Sequence, residues 1–154
     1  MPLTIRLATP ADLDFLADAN AAMAVETESK QLDRAVLERG IRAVFDEPRR
    51  GVYHIAERDG VRAGCLLVTY EWSDWRCGDW WWIQSVYVTP EARRHGVFRA
   101  LYAHLETAAR ATEGVVGLRL YVEWENTRAQ QTYASLGMSQ LHYHMYQRSF
   151  VALD

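Results

Sequence analysis

The sequence predicts a mixed α/β fold, one domain over residues 1–154, with a mostly antiparallel central sheet flanked by helices. A chain of 154 residues has the usual size of a domain with one core. Apolar residues recur with period two in some segments and at helical spacing in others, which predicts both strands and helices. Neither an internal repeat nor a low-complexity segment is visible, so a single layered structure is expected.

The chain is predicted to begin with a strand and two helices. Apolar and polar residues alternate over residues 3–7, as in a half-buried strand. Thr9 and Pro10 then provide an N-cap and a proline at the first helical position. A second helical pattern begins at Asp33 and is stopped by Pro48. Two helices therefore precede the main part of the sheet.

The middle of the chain predicts an antiparallel meander. Residues 52–57 and 61–70 have strand-like composition and are separated by Arg58-Asp59-Gly60. The Asp-Gly pair tolerates the positive φ of a tight turn, so the two segments should form a hairpin. Residues 80–88 add a third long strand after a polar loop.

The last part of the chain predicts a β-α-β unit followed by a short helix. Apolar residues recur at helical spacing from 97 to 108, and residues 115–122 have the pattern of a strand. Asn126 can cap the short helix and Gly137 can end it. Residues 138–151 are predicted to form one or two closing strands.

Composition argues against several classes of protein. The chain is 49% hydrophobic and 24% charged with a formal net charge of -3, an ordinary globular balance that does not favour nucleic acid as a partner. No run of ~18 apolar residues could span a bilayer, and the N-terminus lacks a signal-like pattern. The two cysteines, Cys65 and Cys77, cannot form a disulfide framework. We expect a cytoplasmic protein with no membrane partner.

A basic cluster opens the segment Arg93-Arg94-His95-Gly96-Val97-Phe98, which is predicted to start the helix after the meander. A helix N-terminus disfavours cations by roughly 0.3 to 1 kcal/mol each, so a compensating anion is expected. Free N–H groups, a glycine and guanidinium groups can together bind phosphate. A solvated basic turn is the alternative. The phosphate-loop and dinucleotide motifs are absent, so the phosphate belongs to another ligand.

The segment Ser85 to Leu101 resembles the acetyl-CoA motif of the GNAT superfamily of N-acetyltransferases, whose pattern is Gln/Arg-x-x-Gly-x-Gly/Ala at a helix start. Arg93 and Gly96 match this pattern. Phe98 departs from it, because the family usually has glycine or alanine there.

A second motif strengthens the resemblance. Asn126, Ala129, Tyr133 and Gly137 follow in order and resemble the family helix whose tyrosine faces the coenzyme sulfur. The order of elements resembles the GNAT fold from Leu3 to about Arg148. Without this resemblance, packing and helix capping would suffice to explain Tyr133 and Asn126.

The resemblance implies that acetyl-CoA is the cosubstrate. Its pantetheine arm would pair with the 80–88 strand, where a bulge splays that strand from the 115–122 strand. A homodimer is expected by analogy with the family. Coenzyme contacts are therefore assigned to Val86, Tyr87, Val88, Arg93, Arg94, His95, Gly96, Val97, Phe98, Asn126 and Tyr133.

The implied reaction is direct attack of an amine on the acetyl thioester, with Tyr133 protonating the departing thiolate. Gln84 stands where some family members use a glutamate base, and an amide cannot take a proton at neutral pH. A small cationic amine would be attracted by carboxylates, although such acids can also form a solvated surface. Acceptor binding is assigned to Glu26 and Glu28, which are expected to follow the first helix, and to Glu71 and Glu123. Glu28 is the first choice of base.

Two rival functions are compatible with parts of the sequence. Gln84 and Phe98 are compatible with a non-catalytic acyl-CoA-binding or sensing module. The arginines and tryptophans could serve a small nucleic-acid-binding domain, but the acidic balance opposes this. His142 and His144 share one strand face without a third ligand, so no metal is expected.

Overall fold

The computed structural model describes residues 2–152. The chain divides into two compact units, unit 1 (Met1–Arg119) and unit 2 (Leu120–Asp154). The expectation of one domain over residues 1–154 remains a prediction. Within the described residues, no helix is both long enough and apolar enough to cross a membrane.

Unit 1 contains a five-stranded mixed sheet with helices on both faces. Its strands lie in the order β1-β2-β3-β4-β5. The first three pairings are antiparallel and the β4–β5 pairing is parallel. This arrangement confirms the predicted fold class. The strands are β1 (Leu3–Leu7), β2 (Val52–Arg58), β3 (Val61–Ser73), β4 (Gly78–Val88) and β5 (Val115–Arg119), and the helices are α1 (Leu13–Glu28), α2 (Arg34–Asp46) and α3 (Val97–Ala111).

Local sequence signals account for the first turns of unit 1. Asp59 and Gly60 have φ values of 54° and 75°, so the predicted Asp-Gly hairpin turn joins β2 to β3. The Asp33 side chain accepts a hydrogen bond from the Val36 N–H at 3.2 Å and caps α2. Thr9 and Pro10 lead into a single 3-10 turn that precedes α1.

The core of unit 1 has a layer of helix on each face of the sheet. Leu16 of α1 and Ile41 of α2 are buried in one cluster with Tyr53 and Ile55 of β2. His54 lies between Tyr53 and Ile55 in β2, so its side chain points to the opposite face of the sheet. On that face, its ring centre lies 5.9 Å from that of His104 on α3. The helices α1 and α2 therefore cover one face of the sheet, and α3 covers the opposite face.

A buried carboxylate fixes the start of α1. The Asp12 side chain is fully buried and accepts hydrogen bonds from Arg6 at 2.8 and 2.9 Å and from Arg62 at 2.6 Å. The Thr9 N–H donates a further bond at 2.8 Å. These bonds, with Arg6 the largest cause, hold the pKa of Asp12 well below its ordinary value despite burial.

The described residues of unit 2 contain one helix, α4 (Thr127–Ser135). Gly137 has a φ of 94° and follows the helix, as predicted. The strand expected over residues 115–122 ends at Arg119. Residues 138–151 were expected to form closing strands, but none of them is assigned to a strand.

Candidate active site

The strands β4 and β5 pair over only part of their length. The parallel register runs from Asp79 opposite Val115 to Trp82 opposite Arg119. Strand β5 ends there, whereas β4 continues to Val88. Residues 83–88 of β4 thus extend beyond the strand that pairs with its first half. This is the geometry that allows an extended ligand to lie along a strand edge.

A bulge interrupts β4 at the start of this extension. Leu67 lies opposite Gln84 and Cys65 lies opposite Tyr87, so two residues of β4 face one residue of β3. The first of the two, Ser85, has a φ of 51°. The predicted bulge in this strand is confirmed.

The backbone of Val88 faces away from β3. The Thr89 N–H donates to the Ala63 carbonyl at 2.9 Å, so the backbone groups of Thr89 point towards β3. Backbone groups alternate in direction along an antiparallel pair, which turns those of Val88 outward. One of them, the carbonyl, accepts a hydrogen bond from Arg93 Nε at 3.1 Å.

The segment Arg93 to Phe98 forms a loop and the first turn of α3. Arg93, Arg94 and His95 were expected in the first helical turn, but α3 begins only at Val97. The reason lies in the backbone, because Arg94 (φ 67°) and Gly96 (φ 76°) occupy the left-handed region, through which a right-handed helix cannot run.

This loop retains the features of an anion site. The first N–H groups of a helix lack intrahelical acceptors, and here they follow a glycine N-cap. A side chain such as that of Arg94 costs about 1 to 2 kcal/mol in the left-handed region. Strain of this kind is concentrated at ligand-binding sites.

Arg93 joins three elements of unit 1. Its Nη2 lies 2.8 Å from Glu26 Oε2, and its guanidinium lies 5.5 Å from the centre of the Tyr87 ring. The Tyr87 hydroxyl in turn donates to Glu26 Oε1 at 3.4 Å. We call Glu26, Tyr87 and Arg93 the arginine–glutamate cluster. A phosphate would have to compete with Glu26 for Arg93.

A second cluster lies where β4 and β5 part. Trp82 Nε1 donates to Glu71 Oε1 at 2.8 Å, and Arg119 Nη1 lies 3.2 and 3.3 Å from the two Glu71 oxygens. The Arg119 guanidinium lies 4.0 Å from the centre of the Trp80 ring, a close cation–π contact. Glu71, Trp80, Trp82 and Arg119 form the tryptophan–arginine cluster.

Sequence reasoning missed this cluster, because it assigned the tryptophans to packing and gave Arg119 no role. The available signal was the period-two spacing of Trp80, Trp82 and Gln84, which places these side chains on one face of β4. Glu71 was identified, but as an acceptor ligand and not as the partner of Arg119.

The position expected to carry a base holds a hydrogen-bonded amide. Gln84 Nε2 donates to the Thr69 hydroxyl on β3. Glu26 and Glu28 lie in the last turn of α1, not after the helix as expected. Glu28 is exposed and Glu26 belongs to the arginine–glutamate cluster. The two carboxylates are therefore held differently.

The predicted residues of unit 2 surround one short helix. The Asn126 side chain accepts from the Ala129 N–H at 3.1 Å, which confirms its role as a cap. Glu123 accepts from the Glu125 N–H at 2.8 Å through its carboxylate. Partial burial raises the pKa of Tyr133, so its hydroxyl stays protonated at neutral pH.

A metal site needs several ligating side chains close together. Within residues 2–152, no group of three or more His, Cys, Asp or Glu side chains is arranged to hold a metal ion. The absence of a metal from the reaction remains an expectation.

Comparison with protein families finds one matching model, described as the acetyltransferase (GNAT) family, over residues 14–138. Among solved structures, a possible acetyltransferase from Clostridium difficile 630 is 42% identical, with a TM-score of 0.91. The alignment covers 99% of this chain and 100% of that one.

Two more distant structures share the fold. A predicted acetyltransferase with acetyl-CoA from Clostridium acetobutylicum has 14% identity and a TM-score of 0.76, with 96% of each chain covered. A ribosomal-protein-alanine N-acetyltransferase from Brucella melitensis biovar Abortus 2308 has 18% identity and a TM-score of 0.77, with 97% of this chain and 100% of that one covered. No curated protein matches the chain.

Proposed function

Because this chain belongs to the acetyltransferase (GNAT) family, we propose that it transfers the acetyl group of acetyl-CoA to a primary amine by direct attack. The observation that carries the proposal is the extension of β4 beyond β5, bulged at Ser85 and followed by the strained loop before α3. An amide-bearing arm can bind along such an edge, and a pyrophosphate can bind at the helix start.

The donor is proposed to contact the residues assigned from sequence. Val86, Tyr87 and Val88 belong to the extended part of β4, and residues 93–98 belong to the loop and helix start. A structure with the same fold, a predicted acetyltransferase from Clostridium acetobutylicum, is described as being with acetyl-CoA, which supports this donor. Asn126 and Tyr133 complete the proposed set.

In the proposed reaction, the amine nitrogen attacks the thioester carbonyl carbon and the carbon–sulfur bond breaks. A strand N–H stabilises the negative charge that develops on the carbonyl oxygen. The departing sulfur receives the Tyr133 proton, and the nitrogen gives up a proton to the tyrosinate as the amide forms, which restores the Tyr133 hydroxyl. The ammonium form of the acceptor must first lose a proton, for which Glu28 is our proposed base.

The acceptor is proposed to be a small cationic amine. Two of the assigned carboxylates are already paired, Glu26 with Arg93 and Glu71 with Arg119. Among the described residues, no ion pair joins Glu28 or Glu123 to a basic side chain. Attraction of an ammonium group therefore depends on these two. A cytoplasmic location and a homodimer belong to the same proposal.

The decisive experiment is an acetyl-CoA assay with a panel of amines that follows thiol release. We predict that Tyr133→Phe lowers kcat by about 10² to 10⁴-fold, the usual contribution of a general acid, with little change in acetyl-CoA binding. Tyr70→Phe, on the sheet face opposite Gln84, is the matched control and should keep parental kcat. A loss below tenfold would return Tyr133 to a packing role.

A non-catalytic acyl-CoA-binding module is the second candidate, since Gln84 is engaged with Thr69 and cannot serve as a base. Acetyl-CoA would then raise the melting temperature by mass action, while no amine on the panel would release thiol. A best acceptor that is anionic would instead contradict the proposed cationic amine.

A further inference from the structure

The guanidinium group of Arg93 is divided between two protein groups at the open edge of β4. Its Nε donates to the Val88 carbonyl at 3.1 Å, and its Nη2 donates to Glu26 Oε2 at 2.8 Å. Nε and Nη2 direct parallel N–H bonds to one side of the guanidinium, the fork with which arginine binds a phosphate or carboxylate. Both arms of this fork are therefore engaged within unit 1.

The Val88 carbonyl is an acceptor that the proposed donor would use. Strand β5 ends at Arg119, opposite Trp82, and Val88 lies on β4 beyond that point. Its backbone groups are turned away from β3, so they lie on the open edge of the strand. An amide-bearing arm pairs with such outward-facing groups. The Arg93 Nε thus occupies a hydrogen-bonding position that an N–H of this arm would take.

Tyr87 helps to hold the carboxylate that holds Arg93. Its hydroxyl donates to Glu26 Oε1 at 3.4 Å, while Glu26 Oε2 accepts from Arg93. The Arg93 guanidinium also lies 5.5 Å from the centre of the Tyr87 ring, within the range of a cation–π contact. The arginine–glutamate cluster therefore fixes both the position and the orientation of the Arg93 side chain.

The Glu26 carboxylate opposes the binding of a phosphate to Arg93. The phosphate must either replace Glu26 Oε2 or lie beside it, where two negative charges repel each other. The Arg93 and Glu26 side chains are 45% and 42% exposed, so water and salt weaken their ion pair enough for it to be exchanged. When a site is competent in only a fraction of molecules, the apparent affinity for its ligand falls by that fraction.

We propose that Glu26 is a positioning residue that lowers the affinity for acetyl-CoA by holding Arg93 at the strand edge. Binding of acetyl-CoA requires Arg93 to release the Val88 carbonyl and to exchange Glu26 for the pyrophosphate. The inference rests on the proposed function, because it takes acetyl-CoA as the donor. It gives Glu26 a role on the donor side of the site, through Arg93.

The test is a calorimetric titration of acetyl-CoA into the full chain and its variants. Glu26→Gln should tighten binding about two- to fivefold, the range that release of an exposed ion pair provides. Glu106→Gln is the matched control, because it makes the same change of charge and removes an exposed ion pair with Arg110 on α3. It should bind like the parent. Unchanged or weakened binding by Glu26→Gln would overturn the proposal.

An Arg93→Gln background separates the contact from the charge. In that background Glu26→Gln should change the affinity by less than about twofold, since no guanidinium remains to be released. Equal tightening with and without Arg93 would overturn the proposal, because removal of a negative charge near the ligand would then suffice to explain it.

The Nε–H resonance of Arg93 gives a readout on the parental protein. Assigned by its loss in Arg93→Gln, it should shift as acetyl-CoA is added, because Nε leaves the Val88 carbonyl. An unshifted resonance at saturation would overturn the proposal. A parent that does not bind acetyl-CoA would overturn both the proposed donor and this inference. Parental binding that Glu26→Gln leaves unchanged would overturn this inference alone.

Discussion

At the scale of single residues, two adjacent arginines have different surroundings. Arg93 is engaged by Glu26 and by the Val88 carbonyl. Arg94 is exposed and held at a φ of 67°. The coenzyme phosphates would compete with Glu26 for Arg93, whereas the Arg94 guanidinium faces solvent. We therefore expect Arg94 to contribute more of the attraction for an anion.

We predict that Arg94→Glu weakens the apparent affinity for acetyl-CoA, and with it the stabilisation by acetyl-CoA, by at least about tenfold in affinity. The variant replaces attraction with repulsion at the proposed phosphate site. The unliganded melting temperature should change little. Thermal shift titration with acetyl-CoA measures both. Arg49→Glu, at another exposed turn position, is the control and should bind like the parent. Unchanged affinity of Arg94→Glu would place the anion site elsewhere.

Local residue roles could be predicted from sequence, but distant pairings could not. The Asn126 cap and the Asp59-Gly60 turn follow from preferences of a few neighbouring residues, and both are present. The pair between Arg93 and Glu26 joins residues 67 positions apart. Only the packing of α1 beside β4 brings them together, and no local pattern encodes that packing.

At the scale of elements, the contact between β4 and β5 depends on a glycine. The Trp80 ring lies against Gly117, and a Cβ on that glycine would overlap the ring. The guanidinium groups of Arg119 and Arg76 lie 4.0 and 5.2 Å from the centre of the Trp80 ring and hold the ring in place. The ring therefore cannot easily move away from an added methyl group.

Gly117→Ala is predicted to destabilise the protein by about 1 to 3 kcal/mol, the usual cost of overpacking. Gly40→Ala is the matched control, since Gly40 lies within α2 with open space around its Cβ position. It should stabilise by up to about 1 kcal/mol through helix propensity. Urea unfolding of the two variants measures the difference. Equal effects in the same direction would contradict the packing argument.

Element types were more predictable than element boundaries. Hydrophobic periodicity identified every strand of the unit 1 sheet and its three α-helices. The predicted start of α3 was wrong, because hydrophobic periodicity does not reveal the left-handed backbone at Arg94 and Gly96. The prediction of closing strands over residues 138–151 was wrong for another reason. Alternation of apolar and polar residues does not specify a partner strand, and a strand requires one.

At the scale of the whole molecule, a buried histidine links stability to pH. His54 is 7% exposed and its Nδ1 has no hydrogen-bond partner in the described structure. Burial, with a smaller contribution from His104, lowers the pKa of His54 to about 4. Unfolded histidine has a pKa of about 6.5, so the unfolded state binds a proton that the folded state does not.

The free energy of unfolding is therefore predicted to fall as pH drops from about 6.5 to about 4, by up to about 3 kcal/mol. His54→Gln should remove most of this slope. His142→Gln changes an exposed histidine and should retain it. Urea unfolding at several pH values tests this. Protonation of Asp12 lowers the free energy of unfolding mainly below its unfolded pKa of ~3.9, at the acid edge of this window. Parallel profiles for His54→Gln and the parent would contradict the assignment.

The left-handed backbone at Ser85 and Arg94 has a consequence for binding entropy. Both residues hold unfavourable conformations. Because packing within the fold must supply the energy that holds them, the proposed coenzyme would bind a preorganised strand edge and loop. Little conformational freedom remains there to be lost on association. Affinity at this site should then depend mainly on contact quality and salt concentration, and only weakly on the ordering of the backbone.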